Sequence, residues 1–97
     1  MTTLHTLIKP PSNAPLVEKL LATAQKNDAL VLLEDGVYQL ESDRFLNNAA
    51  HKNLIIRVLE SDAYARGINL DKAQGLLIDY SDFVSLCTQH DKVLSWY

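Results

Sequence analysis

The run Ala29-Leu30-Val31-Leu32-Leu33, closed by Glu34-Asp35-Gly36, constrains this chain more than any other stretch. A strand with one wet face alternates apolar and polar residues. Five apolar residues in a row describe instead a strand covered on both faces, as in a parallel sheet between helix layers. The Glu-Asp-Gly then falls at the carboxyl end of the strand, where open α/β sheets place ligands and partners. The same Asp35-Gly36 pair also spells a hairpin turn, with Val37-Tyr38-Gln39-Leu40 as a return strand.

The rest of the chain discriminates between these readings. Thr3-Leu4-His5-Thr6-Leu7-Ile8 is a β-prone opening, stopped by Lys9-Pro10-Pro11 and a loop through Ser12-Asn13. Pro15 suits a first helical turn, and Leu16, Leu20, Leu21 and Ala24 recur at helical spacing up to Lys26. After Gly36, Ser42 or Asp43 can cap a short helix carrying Phe45, Leu46, Ala49 and Ala50. Leu54 to Leu59 reads as a third strand. Ser61 and Asp62 offer caps for a short helix through Arg66, which Gly67 ends. Ile68 to Gly75 is a polar connection, and Leu76-Leu77-Ile78 a brief fourth strand closed by Asp79-Tyr80. Ser81 or Asp82 caps a last helix from Phe83 to about His90, and Asp91 to Tyr97 is a tail. Strand and helix alternate four times with short connections, which predicts one α/β domain over residues 1–97. It is a three-layer α/β/α sandwich on a mostly parallel sheet of about four strands. A return strand after Gly36 would leave the next helix little sheet to cover, so the rhythm favours the parallel reading.

Composition removes several function classes. The net charge is −3, and the nine Lys and Arg residues are scattered, with no basic stripe to follow a phosphate backbone. No apolar run is long enough to span a membrane, and the opening lacks the charged start and apolar core of a signal peptide. A single cysteine excludes an internal disulfide and a multi-cysteine metal site. The expected location is cytoplasmic.

Candidate chemistry is sparse. Phe83, Leu86, Cys87 and His90 fall at i, i+3, i+4 and i+7, which places the only thiol on the core face of a helix. A nucleophilic thiol needs partial exposure and a group that stabilises the thiolate, and Cys87 has only His90 nearby in sequence. Cys87 is therefore expected to be buried and inert. His5, His51 and His90 share no metal-ligand spacing. His5 is expected as a half-buried, hydrogen-bonded strand residue and His51 as part of a polar turn. Gly36, Gly67 and Gly75 match neither a dinucleotide fingerprint nor a P-loop. Glu34, Asp35, Glu60 and Asp79 end strands, so a parallel sheet would gather them into an acidic rim. Taken singly, each is an ordinary cap or turn residue. No cofactor and no metal are expected.

The chain resembles the TusB/DsrH family of bacterial sulfur-relay subunits. The resemblance rests on Leu4-His5-Thr6-Leu7 and on Val31-Leu32-Leu33-Glu34-Asp35-Gly36-Val37-Tyr38. It continues with Ala65-Arg66-Gly67, the run Leu77-Ile78-Asp79-Tyr80-Ser81-Asp82-Phe83-Val84 with Leu86, and finally His90 and Trp96. No one piece is specific, but the ordered set spans nearly the whole chain. The resemblance implies a DsrEFH-like domain that assembles with two siblings, a TusC/DsrF-like and a TusD/DsrE-like subunit, commonly as a dimer of heterotrimers. It implies a relay of persulfide sulfur towards 2-thiouridine at the tRNA wobble position. The main sulfur-accepting cysteine there belongs to the TusD/DsrE-like sibling, and a TusE/DsrC-like protein receives the sulfur. Some DsrH-like members carry a cysteine in the first helix. Val17 to Ala24 here has none, which points to the tRNA branch and a non-catalytic role. The loop from Pro10 to Pro15 is longer than the family pattern, so contacts made by that loop do not transfer.

The expectation is therefore a structural subunit that positions a partner's persulfide cysteine, with no direct contact to nucleic acid. Its partner surface is expected at Glu34, Asp35, Gly36, Tyr38, Asp79 and Tyr80, since aromatic side chains are common interface anchors. Alone, it would self-associate through that surface or be less stable than in complex. The alternatives are a stand-alone sulfurtransferase using Cys87, a small-ligand binder at the strand ends, and a DsrEFH-type subunit in sulfur oxidation.

Overall fold

A computed structural model describes residues 2–97. The unalternating run Ala29–Leu32 is β2, buried along its whole length, and it lies at the centre of a five-stranded sheet. The elements in chain order are β1 (Thr3–Leu7), α1 (Ala14–Thr23), β2, a 3₁₀ helix (Glu34–Glu41), α2 (Asp43–His51) and β3 (Ile55–Leu59). They continue with α3 (Glu60–Ala65), β4 (Leu77–Ile78), α4 (Tyr80–Gln89) and β5 (Lys92–Trp96). The strand order is β4-β3-β2-β1-β5, and every pairing is parallel.

That order dictates the layers. The first three crossovers step in one direction across the sheet and the last returns past all of them to the far side of β1. Crossovers of one hand must then put the earlier helices on one face and α4 on the other. The core divides accordingly. Leu7, Leu30, Leu32 and Val58 pack with Leu20, Ala24, Phe45 and Ala63. Leu4, Ala29, Val31 and Ile78 pack with Phe83, Leu86 and Cys87. The fold is the α/β/α sandwich expected.

Three details depart from expectation, and the segment left open after Gly36 resolves as the parallel reading requires. The tail is a strand: Lys92–Trp96 pairs with Thr3–Leu7 over five positions, making the sheet five-stranded. As an edge strand it has one covered face, so Leu94 and Trp96 are half-buried while their neighbours are exposed. Val37–Leu40 is not a return strand but part of the 3₁₀ helix, which tucks Val37, Gln39 and Leu40 into the core. The first helix ends at Thr23 rather than Lys26, because Asp28 accepts the Gln25 backbone N–H at 2.9 Å and draws the chain into β2. Finally, Cys87 is half-buried, not buried. It does lie on the sheet-facing side of α4, but no α4 residue is fully buried, because one helix spans a face as wide as five strands. Ile55, register partner of Ala29, and Val93, partner of Leu4, flank it on that face at 43% and 45% exposure.

Local signals at the other helix ends behave as their chemistry requires. The Ser42 hydroxyl accepts the Phe45 backbone N–H at 3.2 Å and caps α2. Gly67, at φ +68°, follows the last turn of α3 in the left-handed conformation that suits glycine. The cap of α4 is Asp79, two residues earlier than the nearest of the expected caps. It forms a reciprocal capping box with Asp82.

Candidate functional site

Because β2, β3 and β4 are parallel neighbours, their carboxyl ends place Glu34, Glu60 and Asp79 along one rim. Glu34 starts the 3₁₀ helix at φ +48°, a left-handed conformation uncommon for a side-chain-bearing residue. The Asp62 carboxylate fixes it there by accepting the Glu34 backbone N–H at 2.7 Å. Asp35 accepts from Arg66 Nε at 2.8 Å, and Asp62 lies 4.0 Å from the same guanidinium. The hydrogen bond to Asp35 is the main reason Arg66 holds its proton more tightly than usual. Gly36 is buried because the turn presses onto β1: a Cβ there would lie 2.0 Å from the Leu7 carbonyl oxygen.

α3 links this turn to the start of α4. Its Glu60, Ser61 and Tyr64 line a shallow open depression completed by Asp79 and Tyr80. The two tyrosines are 76% and 70% exposed, and the Tyr80 ring meets Phe83 edge-on at 6.2 Å. Of the six residues singled out in the sequence, Asp79 and Tyr80 share the depression, and Glu34 and Asp35 lie beside α3. Gly36 and the half-buried Tyr38 support the turn from inside. Asp62, Tyr64 and Arg66 had no place in the expected surface. The spacing of Asp62 and Arg66, i and i+4 on a short helix, was the available signal.

The histidines separate by environment. His5 is fully buried rather than half-buried, bonded to Asp28 at 2.9 Å and to the Trp96 indole at 3.0 Å. His51 is exposed at the end of α2, and His90 ends α4 with Nδ1 2.9 Å from the Thr2 hydroxyl. Burial pushes the Asp28 carboxyl up, but N–H donation from Gln25, Thr3 and His5 outweighs this and holds it below the usual carboxylate range. Among the described residues no group of three or more His, Cys, Asp or Glu side chains is placed to hold a metal ion. No helix among them is long and apolar enough to cross a membrane.

Fold and rim together define a small parallel α/β domain whose distinctive surface is a strand-end rim of carboxylates and exposed tyrosines. Residues 9–93 match the family described as DsrH like protein, and the chain belongs to that family. It is 37% identical over 95 residues to Protein TusB of Pectobacterium parmentieri, covering 96% of this chain and 99% of that one. With Protein TusB of Escherichia coli it shares 33% identity over 95 residues at the same coverage. The fold is also that of Thermotoga maritima protein Tm0979, solved by solution NMR. The TM-score is 0.69 at 20% identity, over 92% of this chain and 94% of that one.

Proposed function

We propose that this chain is a non-catalytic subunit of a sulfur-relay complex, positioning a persulfide-bearing cysteine of a TusD/DsrE-like sibling beside a TusC/DsrF-like one. The relay serves 2-thiolation of the tRNA wobble uridine through a TusE/DsrC-like recipient. The supporting observation is family membership across nearly the full chain, with relatives named TusB matched end to end. The rim explains how such a chain could act without reacting itself. Tyr64 and Tyr80 offer apolar area with polar tips, and the carboxylates around them suit a partner with basic rim residues.

The test is co-expression with both siblings, followed by size-exclusion chromatography with light scattering on the separate and mixed proteins. One hetero-oligomer containing all three, and sulfur transfer that stops when this chain is left out, is the expected result. A chain that stays apart from both siblings while transferring sulfur unaided overturns it. One observation favours a second reading. Cys87 is half-buried rather than enclosed in the core. If Cys87 is an acceptor, intact-mass analysis after incubation with a sulfur donor should show a persulfide on this chain that Cys87→Ala abolishes.

A further inference from the structure

The two ends of the chain meet in a buried hydrogen-bond relay that the partner surface does not use. Asp28 immediately precedes β2, and its carboxylate accepts the backbone N–H groups of Thr3 and Gln25, each at 2.9 Å. It also bonds His5 Nε2 at 2.9 Å. On the other side of the ring, the Trp96 indole N–H donates to His5 Nδ1 at 3.0 Å. An indole nitrogen can only donate, so Nδ1 must offer a lone pair and the proton of the neutral ring must sit on Nε2, facing Asp28. A second proton has one place to go, the lone pair that Trp96 already occupies. Protonation of His5 and the Trp96 bond exclude one another.

The location gives this exclusion a consequence. Trp96 is the last residue of β5, and β5 is an edge strand paired to β1 alone. Its other end is held near the Thr2–His90 contact. We propose that Asp28–His5–Trp96 is a proton-operated latch on β5, closed while His5 is neutral. When His5 takes its second proton the Trp96 end lets go and bares the outer edge of β1 at Leu7, the register partner of Trp96. The imidazolium stays paired with Asp28, while the half-buried indole turns to solvent for a new acceptor.

The surroundings leave Asp28 as the charge that faces His5. From β2 comes Asp28 itself, and from β5 come Leu94 and Trp96, with Lys92 exposed at the strand start. From α1, on the same sheet face, come Val17, Leu20, Leu21 and Ala24, while Glu18 and Lys19 are exposed. Near the turn before β2, Lys52 Nζ donates to the Ala24 carbonyl at 3.1 Å, and Lys26 is exposed.

The chain has one tryptophan and three histidines, so NMR can follow every participant on the intact protein. Two-bond 15N spectra of the imidazole should show the neutral His5 ring protonated on Nε2. As His5 titrates, the protection factor of the Trp96 indole N–H should fall roughly fivefold, the worth of one net hydrogen bond. His5→Gln, which can donate and accept but cannot gain a proton, should show no such fall, while His51 and His90 titrate as before. A neutral ring protonated on Nδ1, or the same pH response in wild type and His5→Gln, overturns the proposal. Should His5→Gln fail to fold, Trp96→Phe decides. With the competitor for Nδ1 gone, His5 should bind its second proton roughly fivefold more tightly than in wild type. An unchanged affinity overturns the proposal.

Discussion

The turn after β2 gives the sharpest quantitative test of how this rim is built. In Gly36→Ala the new methyl would lie 2.0 Å from the Leu7 carbonyl oxygen and 2.8 Å from its carbon, inside any real contact distance. Neither side can yield easily. The Leu7 carbonyl accepts the Leu33 backbone N–H at 3.1 Å, and Gly36 N–H donates to the Leu33 carbonyl at 2.8 Å. Relief by movement would therefore strain a hydrogen bond worth about 1 kcal/mol. Overpacking itself costs about 1–3 kcal/mol. Against this, alanine stiffens the unfolded chain and returns about 0.4–1 kcal/mol. The net expectation is a loss of about 2–3 kcal/mol, or a fall in Tm of roughly 10–20 °C for a domain of this size. Gly67→Ala is the matched control. Gly67 has φ +68° but open space where a Cβ would go, so only the left-handed conformation is penalised. That penalty is about 1–2 kcal/mol, and the same unfolded-state gain leaves a net loss of about 1 kcal/mol. Urea unfolding followed by circular dichroism at matched m-values measures both. If Gly36→Ala costs no more than Gly67→Ala, the close approach to β1 is not what fixes the turn.

Three further outcomes follow from the same structure. The Asp28 carboxyl is held below its ordinary value when folded, so its contribution is fully present above the unfolded carboxylate range near pH 4 and is lost as pH falls through the lower folded value. Asp28→Asn should remove that slope from stability measured by urea across acid pH, and should cost about 2–3 kcal/mol at neutral pH. Cys87→Ala trims a half-buried side chain and should cost about 1 kcal/mol or less by thermal melting, leaving sulfur transfer by the reconstituted complex intact. Tyr64→Ala with Tyr80→Ala should leave Tm within a few degrees yet weaken assembly with the siblings by at least about tenfold in titration calorimetry, because both rings are mostly exposed in the isolated chain.

The sheet was legible because its centre is written without ambiguity. Ala29 to Leu32 shows no alternation, and it is buried along its length. Ser42 and Gly67 marked helix ends by chemistry that acts within a few residues. The edge strand was not legible for the opposite reason. Lys92-Val93-Leu94-Ser95-Trp96 has one covered face, and its two inward residues become a strand only when β1 stands beside them. Cys87 shows the same limit from another side. Periodicity found the face of α4 that turns to the sheet, but how deeply that face is buried depends on how many helices share the layer, a property of topology.

The rim was half legible, and the missing half explains its shape. Strand-end carboxylates can be named from sequence as soon as the sheet is taken as parallel, which is how Glu34, Glu60 and Asp79 were found. What joins them cannot be named so, because it depends on β3 lying between β2 and β4. That placement sets α3, only six residues long, between the 3₁₀ turn and the start of α4. One end of its polar face holds the Glu34 and Asp35 turn through Asp62 and Arg66. Tyr64 and Glu60 meet Asp79 and Tyr80 across the depression. A helix this short has little stability of its own and depends on its neighbours for its position. A partner that presses on Tyr64 and Tyr80 would therefore bear on α3 and, through Asp62 and Arg66, on the turn at Glu34, so the rim would respond to docking as one piece.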